Sequence, residues 1–300
     1  MNRPLFDRFP VLRERVPFRA LAKLPTPVQH VPSLGLWVKR DDLTHPELGG
    51  AKIRKLEFYL PRLAKPTLAV GPRGSNWLLA LQHFAPGVRI FTFPQHYNAF
   101  AARNARLLRP TRHFPDEACF ALGLLAELPR LASDRWSLAP MGGSDPITTL
   151  AAVNAALELG EQVRRGECPS PDAVFVAFGS GSMAAGLALG LSIAGIRARL
   201  FAVRITISAI ARLGRLHDLA VQCSWLLDFR DLPLVPVEVL HDFCGGYARP
   251  IAAGVEAQRR FADVGIVLDT SYTAKSAAAA LAHRSRFRAP LFWHTYAGPV

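Results

Sequence analysis

Lysine is scarce in this chain: it occurs only at positions 23, 39, 52, 55, 65 and 275, and arginine fills every other place among the 36 basic residues. Cysteine is sparse too. Cys119, Cys168, Cys223 and Cys244 lie far apart, with no Cys-x-x-Cys pair and no Cys/His ligand spacing. That excludes a disulfide framework and a structural zinc site, leaves no metal expected, and fits a reducing, cytoplasmic setting. The amino terminus lacks an unbroken apolar region, since Asp7, Arg8, Arg13, Glu14 and Arg15 interrupt it, so export is not expected. One charge-free run, 173–196, is long enough to span a bilayer and contains Gly186-x-x-x-Gly190. Its order argues otherwise: a β-branched and aromatic run from Ala173 to Phe178, a glycine turn, then an Ala/Leu pattern read as buried strand, turn and buried helix. Internal repeats and low-complexity segments are missing as well.

Acidic residues are few, 23 against 36 basic, giving a formal net charge of +13. Such a balance raises nucleic acid or an anionic membrane as partners. The clusters Arg164-Arg165, Arg259-Arg260 and Arg284 to Arg288 are scattered, however, and none sits in a zinc-finger, homeodomain or RNP pattern. Neither nucleic acid nor membrane is expected as a partner.

What is present is a globular chain of 300 residues, 50% hydrophobic, with enough length for a large core or two lobes. Strand and helix patterns alternate: strands at Leu36 to Arg40, Thr67 to Val70, Val88 to Phe93, Val174 to Phe178 and Leu200 to Ile205; helices at Ala51 to Ala64, Asn76 to Phe84, Ala99 to Leu108, Thr148 to Arg165, Ser182 to Ala194 and Ile251 to Asp263. This alternation predicts an α/β fold with parallel sheets covered by helices. Pro/Gly punctuation at Pro140-Met141-Gly142-Gly143 and Pro169-Ser170-Pro171 divides it into a large domain, 1–57 with 151–300, and a small one, 58–150, with a cleft between.

Two features carry chemistry. Lys52 follows the pair Gly49-Gly50, and an amine can condense with an aldehyde where a guanidinium, always protonated, cannot. The second feature, Gly179-Ser180-Gly181-Ser182-Met183-Ala184, follows a strand and opens a helix, so its backbone N–H groups and the helix dipole suit a phosphate. A Gly-x-Gly-x-x-Ala spacing also fits a dinucleotide, but the next strand ends in Arg204 rather than an acidic residue, which would suit only a 2′-phosphate. A glycine turn that merely permits close strand–helix packing is the plainer alternative. Together, an amine and a phosphate cradle complement the aldehyde and the phosphate of pyridoxal phosphate.

Seven blocks then occur in a telling order: Lys39-Arg40-Asp41-Asp42-Leu43-Thr44, Gly49-Gly50-Ala51-Lys52-Ile53-Arg54-Lys55-Leu56-Glu57, Gly74-Ser75-Asn76, Pro140 to Ser144, the Gly179 loop, Gly265 to Lys275, and His294-Thr295. Over nearly its whole length the chain resembles the 1-aminocyclopropane-1-carboxylate deaminase and D-cysteine desulfhydrase family. The resemblance implies the two-lobed fold type II architecture of pyridoxal-phosphate enzymes, related to the tryptophan synthase β subunit, and a homodimer. It makes Lys52 the lysine that binds the cofactor aldehyde, Gly179 to Ala184 the phosphate loop, and Ser75 and Asn76 the substrate-carboxylate and cofactor-oxygen segment. It assigns Tyr247 and Tyr272 as the two active-site tyrosines and sets Thr295 against the pyridine nitrogen. A neutral hydroxyl there stabilises a protonated ring less than a carboxylate would, which favours elimination. The resemblance also implies a glutamate at this position in the deaminases proper, so Thr295 points to the desulfhydrase branch.

The expected activity is therefore that of a deaminase or carbon–sulfur lyase on a small amino acid, of D-cysteine or 1-aminocyclopropane-1-carboxylate type, with release of a 2-oxo acid and ammonia; a β-substituent is lost in the first case and the ring opens in the second. Departures from the family pattern mark the alternative, a catalytically impaired member that serves as a binding or regulatory protein. Ala51 stands for Asn, Met183 for Thr, Thr270-Ser271 for Pro-Val, Ala274 for Gly, and Trp77, beside the carboxylate segment, for a polar residue or His. Each lost polar contact weakens cofactor binding by roughly 0.5–1.5 kcal/mol, and Trp77 is expected to reshape the substrate pocket.

Overall fold

Two sheets organise the chain in a computed structural model that describes residues 3–133, 135–229 and 234–296. Their strands, in chain order, are β1 (Val28–Val31), β2 (Leu36–Arg40), β3 (Thr67–Pro72), β4 (Arg89–Phe93), β5 (Arg112–His113), β6 (Ser137–Ala139), β7 (Ala173–Phe178), β8 (Arg199–Arg204), β9 (Val237–Leu240) and β10 (Pro290–His294). The helices are α1 (Pro4–Arg8), α2 (Leu12–Arg15), α3 (Ala51–Tyr59), α4 (Asn76–Phe84), α5 (Ala99–Leu107), α6 (Glu117–Leu125), α7 (Leu128–Ala132), α8 (Pro146–Arg164), α9 (Ser182–Ile193), α10 (Leu213–Leu226), α11 (Ala252–Ala262) and α12 (Thr273–His283).

The larger sheet runs β1-β2-β10-β7-β8-β9 and the smaller β5-β4-β3-β6. Among the described residues all pairings are parallel, as expected, except one: β1 pairs with β2 antiparallel, joined through the short turn Pro32–Leu34 and Gly35, whose φ of +61° closes the hairpin. Along β7 and β8, alternate residues serve two cores. Val174, Val176, Leu200 and Ala202 face α8, α9 and α10, while Phe175, Phe201 and Val203 face α11 and α12. Burial on both faces is why these strands read as unbroken apolar runs.

The Gly186/Gly190 pair belongs to helix packing. A Cβ at Gly186 would lie 2.5 Å from the Thr149 carbonyl oxygen, and one at Gly190 2.7 Å from the Ala156 Cβ, so the glycines let α9 seat directly on α8. Among the described residues no helix is long and apolar enough to cross a membrane.

Helix α3 ends at Tyr59, earlier than its pattern predicts. Pro61 has no N–H to continue the ladder, and the Glu57 carbonyl instead accepts the Arg19 amide at 2.8 Å. One side of α3 is anchored by a buried ionic cluster. Arg54 donates to Asp41 at 2.7 Å and to both oxygens of Glu158 at 3.0 Å. Lys39 donates to the same Glu158 at 2.6 Å, and the Trp293 indole to Asp41 at 2.8 Å. The cluster fastens α3 to α8, β2 and β10, and thereby fixes where the rest of the helix points.

Candidate active site

A cavity of about 610 Å³ opens where the carboxyl ends of β3, β4, β7 and β8 converge, within the size range of small-molecule sites. Crevices outside the carboxyl ends of parallel strands are where such folds place ligands. Of the residues singled out in the sequence, Lys52, Ser75, Asn76, Trp77, Gly179, Ser180, Gly181, Met183, Ala184, Tyr247, Tyr272 and Thr295 line this one cavity. Ser182 is fully buried and joins through its hydroxyl, described below.

Lys52 is placed by a turn that only glycine permits. A Cβ at Gly49 would sit 1.7 Å from the Asp42 carbonyl oxygen, and Gly50, at φ +130°, would meet the Thr295 carbonyl oxygen at 2.6 Å. The Thr44 hydroxyl bonds both the N–H and the carbonyl of Gly50, and the Ala51 N–H donates to the Thr295 carbonyl at 2.9 Å. The helix start, and Thr295 with it, is thus locked beside Lys52. The Lys52 amine donates to the Gly142 carbonyl at 2.8 Å, and Lys55, three residues along the same face, donates to that oxygen at 3.0 Å. Burial pushes Lys52 down to about 8. Burial and the neighbouring Lys52 charge push Lys55 well below its ordinary value.

Across from them the glycine loop ends β7 and starts α9. Gly181, at φ +105°, occupies the N-cap position without a side-chain cap, so the first-turn N–H groups of α9 are presented to the loop. The Ser144 hydroxyl lies 2.6 Å from that of Ser180 and 3.0 Å from that of Ser182, and also accepts from Lys55 at 3.2 Å. Donors, hydroxyls and an amine therefore converge on one point, and the cradle fits a phosphate. Beside it stands an amine of lowered proton affinity, which fits an aldehyde.

Ser75 caps α4, its hydroxyl accepting the Leu78 N–H at 3.4 Å, and the first turn of that helix faces the cavity. The Asn76 side-chain oxygen accepts from Asn104 at 2.5 Å, leaving the amide's donor half for a ligand. Trp77 is 2% exposed, packs edge-on to Tyr59 and covers Gly143, where a Cβ would collide with its ring at 2.5 Å. It forms part of the cavity wall.

The Tyr247 and Tyr272 hydroxyls bond each other. Burial pushes Tyr247 up to about 12, and burial with the Tyr247 neighbour raises Tyr272 well above its ordinary value. Both phenols keep their protons at neutral pH. Asp269 orders the Tyr272 turn by accepting the N–H groups of Ser271, Tyr272 and Thr273 at 2.8–3.0 Å. Buried Lys275 fixes the Tyr247 loop by donating to the carbonyls of Cys244 and Gly246, each at 2.5 Å.

Lys55, Ser144 and Lys275 stand in blocks that carry the resemblance but were given no role of their own, and Asn98 and Asn104 were not singled out. Lys55 also left a local signal, its i+3 spacing from Lys52.

A family model described as pyridoxal-phosphate dependent enzyme matches residues 20–295. The chain is 29% identical to a D-cysteine desulfhydrase of Klebsiella pneumoniae subsp. pneumoniae over 95% of both sequences. It is 34% identical to nocardicin C-9′ epimerase of Nocardia uniformis subsp. tsuyamanensis over 69% of each. Among solved structures, one described as an ACC deaminase homologue superposes with a TM-score of 0.82 at 26% identity, covering 99% of this chain and 95% of the other. The fold is of type II, as the resemblance implied, and a lowered amine set against a phosphate cradle is what the family's cofactor demands: the chain belongs to the pyridoxal-phosphate dependent enzymes.

Proposed function

We propose that this chain is a carbon–sulfur lyase or deaminase acting on a small amino acid, D-cysteine by loss of its β-sulfur before 1-aminocyclopropane-1-carboxylate by ring opening, and that it releases a 2-oxo acid and ammonia. The observation that carries the reading is the Lys52 amine, lowered to about 8, at the foot of a cavity whose other parts suit a phosphate and a carboxylate. Lys52 would hold the cofactor aldehyde, the 179–184 loop with Ser144 and Lys55 its phosphate, and Thr295 its ring nitrogen. Bound pyridoxal phosphate supplies an electron-withdrawing ring that acidifies the substrate's α-carbon.

The chain's own groups do the rest. The start of α4, with Ser75 and Asn76, binds the substrate carboxylate through N–H groups and the helix dipole. Freed when the substrate's own amine takes its place, the Lys52 amine, neutral in part near pH 8, takes the α-proton, since an amine is a base only once deprotonated. Tyr272 and Tyr247, which retain their protons, hand one to the departing sulfur. Activity should accordingly rise with pH through about 8. Strand membership of the two sheets supports the division into 1–57 with 151–300 and 58–150. Four free cysteines support a reducing cytoplasm, and a homodimer completes the reading.

The test is the visible spectrum of the protein with pyridoxal phosphate, borohydride reduction, and mapping of the modified peptide. An adduct on Lys52 followed by 2-oxo acid release from D-cysteine supports the lyase. An adduct without release leaves the second reading, epimerisation at the α-carbon, which the 34% identical epimerase and a proton-retaining phenol pair favour. Solvent deuterium appearing in recovered, epimerised amino acid would identify it. No adduct on folded protein would move the chain to the binding or regulatory role.

A further inference from the structure

Asn98 occupies a junction that the chemistry above does not use. It is the N-cap of α5, 8% exposed, and every hydrogen-bonding group of its amide is engaged. The oxygen accepts the Ala101 N–H at 2.9 Å and so caps the helix. The nitrogen donates twice to distant parts of the chain, to the Ser271 hydroxyl at 2.7 Å and to the Ala248 carbonyl at 2.9 Å. Those acceptors adjoin Tyr272 and Tyr247. Ala248 is buried and holds φ +57°, a conformation disfavoured for any residue with a side chain, so its segment needs external restraint. Lys275 supplies that restraint on one flank of Tyr247, at Gly246, and Asn98 on the other. Ser271, the second acceptor, is 4% exposed and is one of the positions where the chain departs from the pattern it resembles.

We propose that Asn98 is a positioning residue for both tyrosines: through Ser271 and Ala248 it latches the two phenol-bearing segments to α5, and so fixes their hydroxyls against each other at the cavity wall. The Ser271 hydroxyl is the half of the latch that a valine could not supply. The inference rests on the lyase reading for its kinetic consequence, and not for its structural one.

Three variants of the cofactor-loaded protein separate the latch from simple helix capping. Asn98→Asp keeps a good N-cap acceptor but loses both donations. Ser271→Val deletes the hydroxyl at nearly constant size, and Ser271→Thr restores it. The latch requires Asn98→Asp and Ser271→Val each to lower kcat for 2-oxo acid release from D-cysteine about tenfold, with KM changed less than about twofold. The double variant should be little worse than Asn98→Asp alone, because the connection that Ser271→Val cuts is already lost there. Ser271→Thr should stay within about twofold of the parent. Hydrogen–deuterium exchange should rise in residues 244–250 and 268–273 for Asn98→Asp, in 268–273 for Ser271→Val, and in neither for Ser271→Thr. Equal behaviour of Val and Thr, additive losses, or unchanged exchange would overturn the proposal. If the parent binds the cofactor on Lys52 yet releases no 2-oxo acid, the lyase reading fails, and the exchange data alone decide the latch.

Discussion

Helix α3 buries cations on two sides, and they meet opposite fates. Arg54 lies among carboxylates: burial alone would lower its proton affinity, but Asp41 and Glu158 more than offset that and raise it. Lys52 and Lys55, on the side toward the cavity, share a carbonyl oxygen and hydrogen-bond no carboxylate, so burial prevails and both amines are lowered, Lys55 further by the Lys52 charge and in spite of Asp145. A buried charge with its partner is an anchor, whereas a buried amine without one is held ready to lose its proton. The anchored side fixes the position of the reactive one, and one nine-residue helix provides both.

The comparison breaks most severely at the amine. Lys52→Ala should abolish the borohydride-trapped adduct and lower 2-oxo acid release by about 10³-fold or more, read by peptide mapping and a discontinuous assay. On the other side, Arg54→Met leaves Asp41 without a cation and Glu158 with Lys39 alone, and unfolding in urea should show a loss of about 3–5 kcal/mol. Lys52→Met should do the reverse. Removing an amine that burial disfavours as a charge is expected to stabilise the cofactor-free protein by about 1–2 kcal/mol at pH 7, discounted because the amine faces the open cavity.

Acid sharpens the contrast further. Burial works to raise Glu158, but Arg54 and Lys39 hold it at about 2 against an ordinary 4.5. The unfolded chain therefore binds the proton first as pH falls. The stability owed to this carboxylate is complete above pH 4.5 and disappears toward pH 2. Subtracting the urea midpoints of Glu158→Gln from those of the parent across that range isolates this contribution. The smallest effect is expected of Ser144→Ala, which removes one hydroxyl from the cradle and should weaken cofactor binding by roughly 0.5–1.5 kcal/mol in a fluorescence titration.

Much of this was legible in the sequence where the cause is local. Strands buried on both faces, such as Ala173–Phe178, show continuous apolar runs, and the glycine pair before Lys52 announces a turn that no side chain could enter. The ends of α4 and α9 follow from Ser75 and Gly181 at their caps. What stayed hidden depends on distance along the chain. The ionic cluster joins residues from Lys39 to Trp293, and no window of sequence shows that Arg54 has two carboxylates and Lys52 none. Asn98 reads as an ordinary helix cap, since its other partners lie 150 and 173 residues away. Trp77, whose place beside Ser75-Asn76 pointed to the pocket, does line the cavity, but its packing over Gly143 was hidden because the two lie far apart in the chain.

Only six lysines occur, so the contrast can be measured at the atom concerned. Cofactor-free protein carrying ¹³Cε-labelled lysine, with signals assigned by a Lys52→Arg and a Lys55→Arg variant, should show the Lys52 resonance titrating with a midpoint near 8. A midpoint at or above the ordinary 10.5 would mean that the amine is held as a charge like its neighbour Arg54, and the division of labour along α3 would be wrong.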